Sequence, residues 1–215
     1  LLIAPSDHAV SPENKFDECV GRGMNAAIGG NLVLFGIRPS KADTKFGYVE
    51  VSGAKDDNDV RNILSFHEKP DQTRAEKFHQ SGNYFWNSGI FLAKASVLTK
   101  HFKDLQPESW EGVEASLAGS PAAEINPDQY GTIANISFDT AIVEHAKPSV
   151  MIPATFSWSD LGSWDALQLA RRDSMDGNIV SGAIANECKK DTNSAQYEEY
   201  RIAAENANQQ ANYHH

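Results

Sequence analysis

At 215 residues the chain is long enough for one large domain or two small ones, and its 40% hydrophobic and 22% charged residues, with a mean hydropathy of -0.46, describe a globular protein. A net charge of -10 with no cluster of Lys and Arg excludes a nucleic-acid backbone as partner, and no apolar run approaches the roughly 20 residues needed to span a bilayer. Cys19 and Cys188 lack CxxC or Cys/His spacing. They give neither a disulfide framework nor a zinc site and read as packing thiols of a cytoplasmic protein.

In chain order, residues 1–4 read as a buried interior strand that opens without an initiator Met or a signal-type flank, so a segment upstream is expected. Strands follow over 32–37, 47–51, 63–67 and 85–93, with Lys55-Asp56-Asp57-Asn58-Asp59 as a polar hairpin loop. Helices are predicted over 73–79 after Asp71, then 95–102, 110–117, 140–145 and 163–170, with an irregular crossing over 119–128. The alternation predicts an α/β fold, Rossmann-like, with a mixed, mainly parallel sheet flanked by helices. One domain covers 1–185. The tail 186–215 diverges from it, and its closing His214-His215 reads as partly vector-derived.

Four segments carry chemistry. Leu1 to Ala4 runs into Pro5-Ser6-Asp7-His8, placing an acid at a strand's carboxyl end, where ligands gather in parallel α/β sheets. Asp7 there is either a Mg²⁺ ligand or a turn cap. Phe66-His67-Glu68-Lys69-Pro70 ends a strand with an acid and a base. Both can face one ligand only if the backbone before Pro70 is irregular; the plain alternative is an exposed ion pair. In Trp86-Asn87-Ser88-Gly89-Ile90-Phe91, Asn87 offers a donor and an acceptor suited to a sugar diol, Gly89 permits close approach or marks a bulge, and Trp86 is more often core than ligand platform. Finally, Trp158-Ser159-Asp160-Leu161-Gly162-Ser163-Trp164 encloses an acid at a turn, with Ser163 as a helix N-cap.

Taken in order with Phe35-Gly36-Ile37 and Phe46-Gly47-Tyr48-Val49, these segments resemble mannose-1-phosphate guanylyltransferases over about residues 1–194. The Trp-Ser-Asp-Leu-Gly-Ser-Trp block is the specific part. The resemblance implies attack of mannose 1-phosphate on the α-phosphorus of GTP, giving GDP-mannose and pyrophosphate with Mg²⁺ as cofactor. It also implies Asp7 and Asp160 as metal ligands, with Lys69 beside them as a third catalytic group. Gly47, Glu68, Lys69 and Asn87 are implied as the substrate contacts, Lys69 meeting the sugar phosphate.

Two departures accompany the resemblance. Nothing matches the family's glycine-rich triphosphate loop, which precedes the position where the sequence begins, so the chain alone is expected not to turn over. Lys45 stands where the family usually has Gly. A homodimer is expected from the apolar strand 1–4. Two other readings are a sugar-phosphate-binding module without chemistry and a pyrophosphorylase for another hexose 1-phosphate.

Overall fold

The computed structural model describes residues 1–118, 124–163 and 166. Contacts divide the chain into Leu1–Asp160 and Leu161–His215. The expected boundary at 185/186 lies outside the described residues, as does most of the helix expected over 163–170. In the second unit Ser163 Oγ accepts from Ala166 N at 3.2 Å, the N-cap contact expected of it.

The first unit contains strands β1 (Leu2–Ile3), β2 (Ala9–Ser11), β3 (Leu32–Ile37), β4 (Tyr48–Lys55), β5 (Arg61–His67), β6 (Tyr84–Leu92), β7 (Ser149–Pro153) and β8 (Ser157–Ser159). Its helices are α1 (Glu13–Ile28), α2 (Gln72–Ser81), α3 (Ala95–Leu105), α4 (Pro107–Leu117) and α5 (Pro127–Tyr130), with a π-helix at Asp139–Val143. Six strands form one sheet in the order β1-β6-β3-β7-β5-β4, and β6 also pairs with β4.

The five fully buried residues of β3 send alternate side chains to two cores, as a central strand must. Leu32 and Leu34 pack with Leu98 of α3 and Ile142 of the π-helix, whereas Val33 and Phe35 pack with Cys19 and Ala27 of α1. The result is helix, sheet, helix, as the sequence predicts. Helix α2 begins at Asp71, whose carboxylate accepts from Arg74 N, and ends at Gly82 in the left-handed region.

Two sequence expectations need correction and one is met. The sheet is mixed, but among the described residues only β3–β7 is parallel, while β1–β6, β3–β6, β4–β5, β4–β6 and β5–β7 are antiparallel. The 55–59 loop is tight enough to return β5 beside β4, with Asp56 Oδ1 accepting from Asn58 N and Val60 N. Residues 1–4 are no interior strand: β1 is the sheet's edge, with Leu2 45% and Ile3 39% exposed. Helix α1 was not foreseen. Gly21 and Gly23 argue against a helix there, yet Gly23 lets α1 settle on the sheet, since a Cβ on it would lie 3.1 Å from Val33 Cγ1.

Candidate active site

The site is built around an irregularity in β6. At Asn87-Ser88-Gly89 the β3–β6 register shifts, Gly89 takes φ +71°, and the Ser88 hydroxyl fills the gap by donating to Phe35 O at 2.7 Å. The bulge that Gly89 could have marked is therefore present, and it turns the Asn87 side chain to another use. Asn87 Nδ2 donates to Asp139 Oδ1 at 2.6 Å, Asn87 Oδ1 accepts from Gly89 N at 3.2 Å, and Asn87 N donates to Gly47 O at 2.8 Å.

Gly47 and Glu68 meet next to this. A Cβ on Gly47 would lie 2.7 Å from Glu68 Oε2 and 2.9 Å from Phe66 Cζ, so only glycine lets the carboxylate approach the backbone. The preceding loop is pinned: Lys45 N donates to Asp43 Oδ1 at 3.0 Å, Lys41 Nζ lies 3.1 Å from Asp43 Oδ2, and the Tyr48 hydroxyl donates to Asp43 O. Burial works to raise the Asp43 pKa, but the Lys45 N–H and the Lys41 ammonium outweigh it and hold the carboxyl below its usual value. Non-glycine residues with positive φ among those described are Asp59, Lys69 and Leu161. Lys45 thus forms its turn without the left-handed backbone for which glycine would be needed.

Lys69 has φ +41°, the irregular backbone before Pro70 that the Glu68-Lys69 pair requires. Its ammonium lies 3.1 Å from Glu68 Oε1 and is largely exposed, so the pair faces solvent together. An ion pair of this exposure contributes only about 0–1 kcal/mol to stability, which does not offset a strained backbone. Trp86 is 6% exposed and belongs to a core with Tyr48 and Phe78, not to a ligand platform.

Asp7 and Asp160 sit on a separate two-stranded ribbon. β2 pairs antiparallel with β8 in the register Ala9↔Ser159, Val10↔Trp158, Ser11↔Ser157, so both acids flank the same end of the ribbon. Trp158 Nε1 donates to His8 Nδ1 at 3.2 Å, and the Asp7 carboxylate is 83% exposed, 4.0 Å from His8 Nε2. Aromatic contacts run from Trp158 to Phe46 and on to Trp86. A Cβ on Gly89 would meet Pro5 Cγ at 3.5 Å and His8 Cε1 at 3.9 Å. These contacts bring the ribbon against the Gly47 loop and the β6 bulge.

Asp139 is the residue that the sequence reading missed. It opens the π-helix, where burial pushes its carboxyl pKa up against the lowering effect of the Asn87 amide, with the Glu68 charge raising it further and Lys69 opposing. The available signal was an acid just before the apolar Ala141-Ile142-Val143, which reads as an ordinary helix cap.

A family model described as Nucleotidyl transferase matches residues 1–176. Similar proteins include a mannose-1-phosphate guanylyltransferase from Sinorhizobium fredii (strain NBRC 101917 / NGR234), 35% identical over 86% of this chain and 36% of its own length. Another mannose-1-phosphate guanylyltransferase, from Escherichia coli (strain K12), is 30% identical over 86% of this chain and 40% of its own. The chain thus spans about two fifths of the length of these curated relatives. A crystal structure described as a mannose-1-phosphate geranyltransferase from Thermus thermophilus superposes with a TM-score of 0.72 at 28% identity, over 85% of this chain and 52% of that one. A structure described as a mannose-6-phosphate isomerase from Helicobacter pylori gives 0.65 at 26% identity, over 74% and 63%.

Proposed function

Because the chain belongs to the nucleotidyl transferase family, we propose that its site serves the transfer of a guanylyl group to mannose 1-phosphate, giving GDP-mannose and pyrophosphate from GTP. The observation that carries this reading is the Gly47, Glu68, Lys69 and Asn87 cluster, in which Gly47 meets the Glu68 carboxylate and accepts from Asn87 N, and Lys69 pairs with Glu68. Glu68 accepts from sugar hydroxyls, Asn87 donates to one, and Lys69 leaves Glu68 to neutralise the sugar phosphate. The attacking oxygen belongs to a phosphate that is already anionic, so no general base is required. A bond forms from it to the α-phosphorus as the bond to pyrophosphate breaks, and catalysis is chiefly alignment of two repelling anions.

Asp7 and Asp160 are hard oxygen donors at one ribbon end, and the exposure of Asp7 suits a Mg²⁺ that keeps water and phosphate ligands. Among the described residues no group of three or more His, Cys, Asp or Glu forms a metal cage, so the protein would supply a minority of the ligands. When bound, Mg²⁺ would neutralise charge on the phosphates. Guanine as the base, and mannose as the sugar, rest on the names of the relatives. No helix among the described residues is long and apolar enough to cross a membrane, and we place the reaction in the cytoplasm, where its nucleotide substrate is found. The exposed Leu1, Leu2 and Ile3 at the β1 edge support self-association into a dimer.

The test pairs calorimetry of mannose 1-phosphate binding with a coupled pyrophosphate-release assay containing GTP and Mg²⁺. Binding that Glu68→Ala abolishes is the expected result, and release that depends on both substrates would overturn the expectation that this chain alone does not turn over. Binding without release is the outcome expected of the chain alone, with sugar-phosphate binding as the role it performs by itself. Tighter binding of glucose 1-phosphate than of mannose 1-phosphate would move the assignment to another hexose, and failure to bind either would sink the reading.

A further inference from the structure

We propose that Asp139 is a positioning residue of this site, fixing the Asn87 amide so that it presents one N–H donor near the Glu68 carboxylate and thereby selects a vicinal diol. The proposal rests on the reading of the site as a hexose 1-phosphate site.

An asparagine side chain has two amide hydrogens and one carbonyl oxygen, and nothing in its shape distinguishes its two orientations. Here both ends are committed: Nδ2 donates to Asp139 Oδ1 at 2.6 Å, and Oδ1 accepts from Gly89 N at 3.2 Å. A carboxylate cannot donate and a backbone N–H cannot accept, so the flipped amide would face repulsion at both contacts. One Nδ2 hydrogen remains for a ligand. The Glu68 carboxylate is near, since Glu68 Oε2 would lie 2.7 Å from a Cβ on Gly47, whose carbonyl accepts from Asn87 N.

Two adjacent hydroxyls match that arrangement, one donating to Glu68 while the other accepts from the amide. A phosphate or carboxylate ligand does not, because it would meet two negative charges.

Asp139 is rigidly held for this task. Phe138 packs edge-on against Phe91 at 5.0 Å, and the Ala141, Ile142 and Val143 side chains that follow are buried. The widened π-helical turn sets the carboxylate 52 residues along the chain from its partner amide. Its burial disfavours the charged form, and the Asn87 amide offsets part of that cost.

The experiment compares wild type, Asp139→Asn and Asp139→Ala, using the ¹⁵N side-chain amide signal of Asn87 and calorimetry with mannose 1-phosphate and its 2-deoxy analogue. Asn at 139 still offers a carbonyl oxygen, so it is expected to leave the Asn87 signal close to wild type and affinity within about threefold. Ala at 139 is expected to shift the Asn87 signal and weaken binding by about tenfold or more, removing most of the preference for the intact diol. If the Ala variant does not fold, Asp139→Ser replaces it, being too short to reach the amide.

An unchanged Asn87 signal in the Ala or Ser variant overturns the positioning role. A shifted signal with unchanged preference for the diol overturns the selection. If wild type binds no hexose 1-phosphate, the diol assignment falls with the reading of the site, while the amide signal still decides whether Asp139 sets Asn87.

Discussion

The end of the site proposed for the sugar and the end proposed for the metal are built to different standards. At the end proposed for the sugar, Asn87 bonds Asp139 at 2.6 Å and Gly47 at 2.8 Å, and Glu68 packs on Gly47 so closely that a single methyl group would break the contact. At the metal end, Asp7 projects from the short β2–β8 ribbon with its carboxylate 83% exposed. The first is organised before any ligand arrives. The second is open to solvent at Asp7, which would suit the proposed cation with its own water and phosphate oxygens.

The sharpest way to break the comparison is at the metal end. Asp160→Ala is expected to weaken Mg²⁺ binding, followed by calorimetry, by about tenfold or more while leaving mannose 1-phosphate affinity within about twofold. An equal loss of both would mean that the two ends are one unit. Next in size is Gly47→Ala, whose added methyl would force Glu68 and Phe66 aside. It should weaken mannose 1-phosphate binding by about tenfold and cost about 1–3 kcal/mol of stability in a urea titration.

A smaller effect concerns the acid held at the sugar end. Burial raises the folded-state pKa of Asp139 above its ordinary 3.8, so the folded chain binds the proton more readily than the unfolded one. That contribution is fully present below pH 3.8 and is lost as pH rises through the raised value. Asp139→Asn should therefore raise Tm at pH 7, with the gain shrinking as pH falls toward 3.8 in scanning calorimetry. A Tm lowered at pH 7 would show that the charge stabilises the fold.

The smallest expected effect lies outside the site, at His67. Its ring accepts from Arg74 Nη2 at 2.9 Å and stacks on Phe78. Burial and then the Arg74 charge lower its pKa below 6.5, against the pull of Glu50 and Glu144. The unfolded chain therefore binds that proton more readily. The contribution of His67 is full above pH 6.5 and is lost as pH falls through the lowered value. His67→Gln should flatten this part of a Tm-versus-pH curve and leave sugar-phosphate binding unchanged.

What could be read in the sequence follows from how local each signal was. The Asp71 cap, the 55–59 hairpin and the strain expected before Pro70 all depend on neighbouring residues, and each is present. Strand β7 and the ribbon pairing of β2 with β8 depend on distant partners. Short apolar stretches beside Pro12, Pro148 and Pro153 do not announce such partners. Helix α1 went unseen because Gly23, unfavourable for an isolated helix, earns its position through contacts with Val33, Leu92 and Ile152. Asp139 was hidden for a similar reason: its meaning comes from Asn87, a side chain on another element. The edge position of β1 follows from pairings along its neighbour, not from its own apolar residues.

The β2–β8 ribbon also sets a timetable. The Trp158–His8 hydrogen bond joins residues 150 positions apart, and closing so long a loop must await nearly all of the first unit. During synthesis the hairpin of β4 and β5, and then β6, emerge well before β8 does. Most of the pocket assigned to the sugar can thus form on a chain still being made, lacking only Asp139, whereas Asp7 waits for Asp160. On the proposed reading, a partly made chain would hold at most one of the two reactants, and the end proposed for the metal would come into being only with the finished unit.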